Sequence, residues 1–175
     1  VAVGDNAVAA ITTGVQNTLI GGLAGDALTD ADQNVAIGYN ALSSDTLGSG
    51  SVAMGKAALQ NQNFTTATSS YNTAVGFEAG TAVTTGVQNT LLGGLAGTAI
   101  TTGIENVLVG YAAGDALTDA DFNVAVGRAA LSSDTKGSKS TAIGQGALNV
   151  QNFTTATDTF NTAVGFFAGL SVTTG

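Results

Sequence analysis

The stretch Asn34-Val35-Ala36-Ile37-Gly38 decides the fold, because close variants of it occur ten times in the 175 residues of the chain. The final residues of the ten copies are Gly4, Gly21, Gly38, Gly55, Gly76, Gly93, Gly110, Gly127, Gly144 and Gly165. The number of residues from one motif glycine to the next is constant, as from Gly21 to Gly38. The exceptions are the steps from Gly55 to Gly76 and from Gly144 to Gly165, which each contain four additional residues. We call these two steps the long coils. Such short, regular periods are typical of a solenoid whose coils pack on their neighbours.

A longer repeat overlies the short one. Residues 24–38 (AGDALTDADQNVAIG) return almost unchanged as residues 113–127 (AGDALTDADFNVAVG). This longer step spans four ordinary coils and one long coil, so both long coils occupy the same place in the longer repeat.

The residues before the motif glycines alternate in character. Val, Ile, Leu or Met stands one position before the glycine, and Val or Thr stands three positions before it. Ala or Leu stands two positions before it, and Asn or Ser four positions before it. This period of two is typical of a strand, and Gly, Thr, Val and Asn are weak helix formers. The sequence therefore predicts an all-β, parallel β-roll of about ten coils, stacked about 4.8 Å apart.

The alternation also predicts which residues lie inside each coil. We expect the large aliphatic side chains, such as Val75, Val109 and Val126, to form a continuous buried column. The opposite strand face then carries uncharged Ala and Leu along the whole roll, and packs against identical chains in a homo-oligomer. Stacked Asn residues four positions before the glycines predict a ladder of amide hydrogen bonds. Ala three positions after every motif glycine indicates limited space.

A second apolar position recurs seven residues after many of the motif glycines. We expect it to return to the coil interior on a second short strand. Asp45 and Asp134 replace the aliphatic residue in two coils, which predicts that this strand is less strictly buried. The aliphatic residues at this position include Ile11, Leu28, Val83, Ile100 and Leu117.

Composition excludes several classes of function. The net charge is −8 with only four basic residues, so the chain is not expected to bind nucleic acid. No apolar run approaches the roughly 20 residues of a membrane helix, so we expect no membrane insertion of this segment. His and Cys are absent, which removes the usual catalytic base, thiol nucleophile and thiolate metal ligands. The sequence predicts neither an enzyme nor a cofactor.

Three copies of the motif, in residues 34–38, 51–55 and 123–127, resemble the head repeats of trimeric autotransporter adhesins. That resemblance covers the whole chain and implies a left-handed parallel β-roll in a homotrimer. Residues 72–80 (NTAVGFEAG) are closer in style to repeats of bacteriophage tail fibres. Both resemblances imply an extracellular fibre, on a virion surface or a bacterial cell surface, without catalytic residues. The adhesin repeats usually have a shorter period than the coils of this chain, so the carrier of the fibre stays open.

Two kinds of site are suggested by the sequence. Asp26, Asp30 and Asp32 return as Asp115, Asp119 and Asp121, and this spacing leaves open either a calcium loop or a solvated turn. The two long coils contain Thr-rich stretches at residues 61–71 and 150–160, which we expect to project outward. These loops are candidates for contact with a host cell-surface molecule or a neighbouring fibre component. Alternatively, their Phe side chains pack back on the roll. The candidate contact residues are Phe64, Thr65, Thr66, Phe153, Thr154 and Thr155.

The sequence as a whole predicts one structural segment, residues 1–175, of a longer fibrous chain. Its predicted function is that of a bacteriophage tail fibre shaft or head that serves host attachment. The alternative is the head of a bacterial trimeric surface adhesin. A third hypothesis, a carbohydrate-active enzyme acting between subunits, needs a pair of carboxylates in a groove.

Overall fold

The computed structural model describes all residues from 1 to 175 and is an all-β solenoid of parallel strands with about ten turns. This confirms the coil architecture that the repeat predicts. The strands are β1 (Ala2–Val3), β2 (Thr18–Ile20), β3 (Val35–Ile37), β4 (Gly48–Ser49), β5 (Val52–Met54), β6 (Thr68–Ser69), β7 (Thr73–Val75), β8 (Thr90–Leu92), β9 (Val107–Val109), β10 (Val124–Val126), β11 (Gly137–Ser138), β12 (Thr141–Ile143), β13 (Thr157–Asp158) and β14 (Thr162–Val164).

One parallel sheet runs the length of the solenoid. Its ten strands follow the order β1-β2-β3-β5-β7-β8-β9-β10-β12-β14, so each coil contributes one strand. Neighbouring strands align at identical repeat positions, as where Val107 faces Val124 in the next coil. Two smaller sheets, β4 with β6 and β11 with β13, lie beside the long coils. Of 102 backbone hydrogen bonds only 19 lie within strands, so stacked turns hold most of each coil to its neighbours.

The two faces of the main sheet are reversed relative to the prediction. Ala36 and Leu108, two positions before their glycines, are completely buried. Val75, one position before its glycine, is 37% exposed, and Val109 and Val126 are half-buried on the same outer side. The predicted inward aliphatic column is therefore wrong. The interior is too narrow for it, because small Ala side chains and one or two larger apolar side chains per coil already fill the space.

Leucine placement shows how narrow this interior is. Leu91 stands two positions before the motif glycine Gly93, and Gly97 stands four positions after it. A Cβ at Gly97 would lie 2.9 Å from Leu91 Cδ2. In the coil of Gly38, the small residue Ala36 stands two positions before the glycine. The larger Leu42 stands four positions after the glycine and is completely buried. In these two coils the two positions exchange volume across the interior, as close packing requires.

The predicted Asn ladder is confirmed, and it faces the interior. Asn89 and Asn106 are completely buried. The backbone N–H of Asn106 donates to Asn89 Oδ1 at 3.0 Å, and Asn89 Nδ2 donates to the carbonyl of Gly103 at 2.8 Å. Each amide side chain therefore satisfies two backbone groups of the next coil, which removes the penalty of burying them unpaired.

The second apolar position also returns to the interior, but not as a strand. Leu28, Val83, Ile100 and Leu117 are completely buried, in stretches where the backbone forms turns. Asp45 is completely buried at the same position, as is Asp134. The prediction of looser burial at these positions is therefore wrong.

The motif glycines let adjacent coils approach closely. All ten have φ between 127° and 145°, which L side chains rarely adopt. A Cβ at Gly93 would lie 2.5 Å from the carbonyl oxygen of Gly110 in the next coil. The non-glycine residues with positive φ recur at three corner positions of each coil, as Gln88, Leu95 and Leu131 do. Each such residue costs about 1–2 kcal/mol, which the interactions between stacked coils offset.

The glycine column gives a matched pair of variants. Gly93→Ala should lower the free energy of unfolding by about 3 kcal/mol or more, because its Cβ clashes with backbone at a strained φ. Gly94→Ala, one residue along, should melt close to the parent, since the nearest atom to its Cβ would be Tyr111 Cδ2 at 3.6 Å. Urea denaturation followed by circular dichroism measures both, and equal stability of the two variants would contradict the close-approach account.

Candidate interaction surface

The outer face of the ten-stranded sheet runs the whole length of the solenoid. It consists of the residues one and three positions before the motif glycines, and none of them is charged. Ile20, Met54 and Ile143 are each 38% exposed on it. At the strand spacing the face is about 45 Å long. Extended exposed apolar patches are typical of interaction sites, so this face is a candidate contact surface.

Beside this face lies a row of aromatic side chains that the sequence analysis missed. Tyr39, Phe77 and Tyr111 each follow a motif glycine, in every second coil, and are 54%, 51% and 55% exposed. We call these three residues the aromatic row. The signal was present in the sequence as a shared repeat position, but it is visible only when the coils are aligned.

The long coils expel their extra residues at two points. Leu47 N–H donates to the carbonyl of Phe64, and the sequence separation of these two residues is the ordinary one between adjacent coils. Residues paired between β4 and β6 are three positions further apart than this. Residues paired between β5 and β7 are four positions further apart. Three extra residues therefore lie at 65–67 and the fourth near Tyr71. Residues 65–67 are exposed, as are their counterparts at 154–156. The predicted outward bulge is confirmed.

The candidate contact residues of these loops divide into two groups. Phe64 is only 6% exposed and its ring packs where a Cβ of Gly48 would otherwise lie, so it packs back on the roll. Phe153 is half-buried. The exposed candidates are the threonines Thr65, Thr66, Thr154 and Thr155.

A buried polar network underlies each bulge. Asp45 Oδ1 accepts hydrogen bonds from the backbone N–H groups of Gly48 at 3.1 Å and Phe64 at 3.0 Å. Asp45 Oδ2 accepts from Gln62 Nε2 at 2.6 Å, and Gln62 also donates to Ser51 Oγ at 3.0 Å. Asn72 Nδ2 donates to Gln62 Oε1 at 2.8 Å. The network fixes the start of the insertion relative to the coil before it, and it recurs in the second long coil around Asp134 and Gln151.

The acidic repeats do not converge on a metal site. No group of three or more acidic side chains lies close enough to hold a metal ion. Asp32 Oδ1 accepts from Val15 N–H at 2.7 Å, and Asp121 Oδ1 accepts from Ile104 N–H at 2.8 Å. These two carboxylates cap the backbone of the preceding coil. Asp26 and Asp115 differ, because one oxygen of each is buried without a hydrogen-bond partner.

Two concave regions lie against the last and the first coils of the stack. The larger has a volume of about 360 Å³ and is lined by residues such as Leu148 and Val172. The smaller, of about 200 Å³, includes Val8 and Ile11. Neither is lined by an acidic side chain.

Comparisons with known proteins leave the surface as the main guide to function. No protein-family model, curated protein or solved structure matches the chain. No helix of the structure is long and apolar enough to span a membrane. The features that bear on function are therefore the outer face, the aromatic row and the exposed loops.

The carboxylate of Asp115, one oxygen of which is buried without a partner, predicts a pH-dependent stability. Burial raises its pKa above the ordinary value, and a backbone hydrogen bond opposes this shift only in part. The folded state therefore binds this proton more tightly than the unfolded state, so stability falls as pH rises through the raised pKa. Thr98, at the same repeat position, instead donates its hydroxyl to Leu95 O at 2.6 Å.

Asp115→Thr should therefore raise the melting temperature at neutral pH, with a gain that shrinks in acid. Asp119→Thr is the control, since Asp119 is exposed and lies 3.6 Å from Lys136 Nζ. Calorimetric melting across pH 3 to 7, roughly the range in which carboxylates titrate, measures both variants. A gain for Asp115→Thr that persists unchanged in acid would contradict the titration account.

The structure of the long coils predicts that the exposed loop, residues 65–67, contributes less to stability than the buried Phe64. Deleting residues 65–67 should leave the melting temperature near that of the parent, because all three are exposed. Phe64→Ala should cost about 3 kcal/mol, because it empties a site that the buried ring fills. Chemical denaturation of both variants tests this, and a large loss from the deletion alone would make the bulge part of the structural framework.

Proposed function

We propose that the chain is a structural segment of a homotrimeric fibre, with left-handed coils, in which three outer faces meet around a common axis. The uncharged stripe of Val, Ile, Leu, Met and Thr on the ten-stranded sheet carries this proposal. Burial of such a stripe removes apolar area from water along its whole length. The number three comes from the resemblance of the motifs to trimeric adhesin heads and tail-fibre repeats.

A self-association suits this face better than an unrelated partner. Its columns repeat every coil and run parallel to the axis, so an identical chain offers a matching surface at every level. Closed rotational symmetry then satisfies all faces at once. The small cross-section of the coil supports the same arrangement, because a single chain leaves aliphatic side chains such as Ile20 and Val75 partly in water.

The biological role that we propose is host attachment as part of a bacteriophage tail fibre, outside the cell on the virion surface. Each chain carries two exposed threonine loops, five coils or about 24 Å apart along the axis. In a trimer they form two rings of three loops. Weak contacts repeated on one rigid rod gain from multivalency, whether the partner is a host cell-surface molecule or a neighbouring fibre component. No reaction, cofactor or metal is part of this role.

The head of a bacterial trimeric surface adhesin is the alternative carrier of the same segment. The resemblance of residues 51–55 and 123–127 to adhesin head repeats favours it. The flanking sequence distinguishes the two, since a membrane-anchoring C-terminal barrel indicates an adhesin and a tail-attachment N-terminus indicates a phage fibre.

The trimer is tested by charging the outer face. Val75→Asp combined with Val109→Asp should abolish the trimer, because it places desolvated like charges at each of the three contacts. Thr65→Asp, which adds charge on an exposed loop, should leave the trimer intact. Sedimentation equilibrium gives the mass of each variant.

Two results would overturn the proposal, whatever the stability of the charged variant. One is a parent protein that sediments as a folded monomer at micromolar concentration. The other is a doubly charged variant that keeps the trimer mass.

A further inference from the structure

We propose that the aromatic row of Tyr39, Phe77 and Tyr111 binds a linear, extended glycan along the axis of the solenoid. This inference names a ligand class for the attachment role proposed above. It rests on the proposed trimer in one respect, because the row must lie outside the contacts between chains. Three properties of the row support the assignment, namely how the rings are held, how they are spaced and what surrounds them.

Each tyrosine ring of the row lies against the same repeat position in the preceding coil. A Cβ at Gly22 would lie 3.4 Å from Tyr39 Cδ2, and a Cβ at Gly94 would lie 3.6 Å from Tyr111 Cδ2. Neither glycine has the positive φ that would require glycine for the backbone. The rings therefore lie beside glycines, with no larger side chain to displace them, and about half of each tyrosine is exposed to water.

Phe77 has a different support. Lys56, at the equivalent position in the preceding coil, places its ammonium 4.8 Å from the centre of the Phe77 ring. The same ammonium lies 3.3 Å from Glu78 Oε1, which holds it beside the ring. All three rings of the row are thus positioned by a contact one coil below, so little conformational entropy is lost when a ligand binds.

The spacing of the row suits a sugar chain. Successive rings are two coils apart, or about 10 Å. In an extended β-1,4-linked glycan every second sugar presents the same face on the same side, at a repeat close to this distance. Tyr39, Phe77 and Tyr111 can therefore each stack against alternate sugars of one straight chain. Aromatic faces suit the C–H surfaces of sugar rings, and the tyrosine hydroxyls add hydrogen bonding.

Polar groups continue the row beyond its last ring. Arg128 and Gln145 occupy the same repeat position in the next two coils, and a further ring, Phe166, follows in the last coil. Guanidinium and amide groups are donors that suit sugar hydroxyls and ring oxygens. Apolar rings in line with such donors are the composition of a carbohydrate site, whereas the outer face, which has no charged residue, has the composition of a protein contact.

The test is a calorimetric titration of the parent protein with hexasaccharides of β-1,4-linked N-acetylglucosamine and of β-1,4-linked glucose. We expect at least one to bind, and its disaccharide to bind about tenfold more weakly or worse, because only the longer chain reaches more than one ring. Maltohexaose, whose α-1,4 links curl the chain, should not bind. Tyr39→Ala, Phe77→Ala and Tyr111→Ala should each weaken hexasaccharide binding about tenfold.

Tyr71→Ala is the matched control, because Tyr71 is 60% exposed but lies outside the row. Its binding should equal that of the parent. Failure of both β-linked hexasaccharides to bind, or an equal loss in Tyr71→Ala, would overturn the proposal. Loss of the trimer mass in the row variants would also overturn it, by assigning the row to the contact with a second copy. A monomeric parent that binds the hexasaccharide would retain the glycan site and overturn the trimer alone.

Discussion

The close approach of backbone to backbone at the motif glycines is the constraint on which the rest of the structure depends. At Gly93 no Cβ can be accommodated above the carbonyl of Gly110. Adjacent coils therefore stack at strand spacing with every repeat position in register. Register in turn brings Asn over Asn and Ala over Ala, and extra residues that would break it have to leave the stack. The bulge at residues 65–67 is the direct result.

The interior of each coil is narrow, and this determines which side chains lie on the outer surface. Each coil has room for small alanines, one or two larger apolar side chains and an amide, as Leu91 opposite Gly97 illustrates. Aliphatic side chains that do not fit, among them Val75 and Ile143, remain on the outside. In the trimer that we propose, the same hydrophobic effect that folds the coil also brings the three outer faces together. In that proposed trimer folding and assembly are linked, because binding of the folded form to its copies adds to its stability.

The sequence was sufficient for the period, the parallel stacking and the Asn ladder, because identical residues at one spacing have one simple arrangement. It was not sufficient for the orientation of the sheet. Alternation defines two faces but not which one is inside, and only the exchange of volume between positions such as Ala36 and Leu42 contains that information. Burial of Asp45 was equally hidden, since its partner Gln62 lies in the next coil and is identified only by the fold.

The long coils combine a fixed interior with an exposed loop, and the two features depend on one another. Asp45 and Gln62 hold the chain where the insertion begins, so residues 65–67 can leave the stack without shifting the strands that follow. A loop anchored in this way tolerates changes in sequence and length, because its residues contact water and not the stacked coils. The solenoid thus separates two tasks along one chain. The glycine, alanine and asparagine columns hold the coils in register, while positions facing water, in the loops and in the aromatic row, can vary without disturbing the stack.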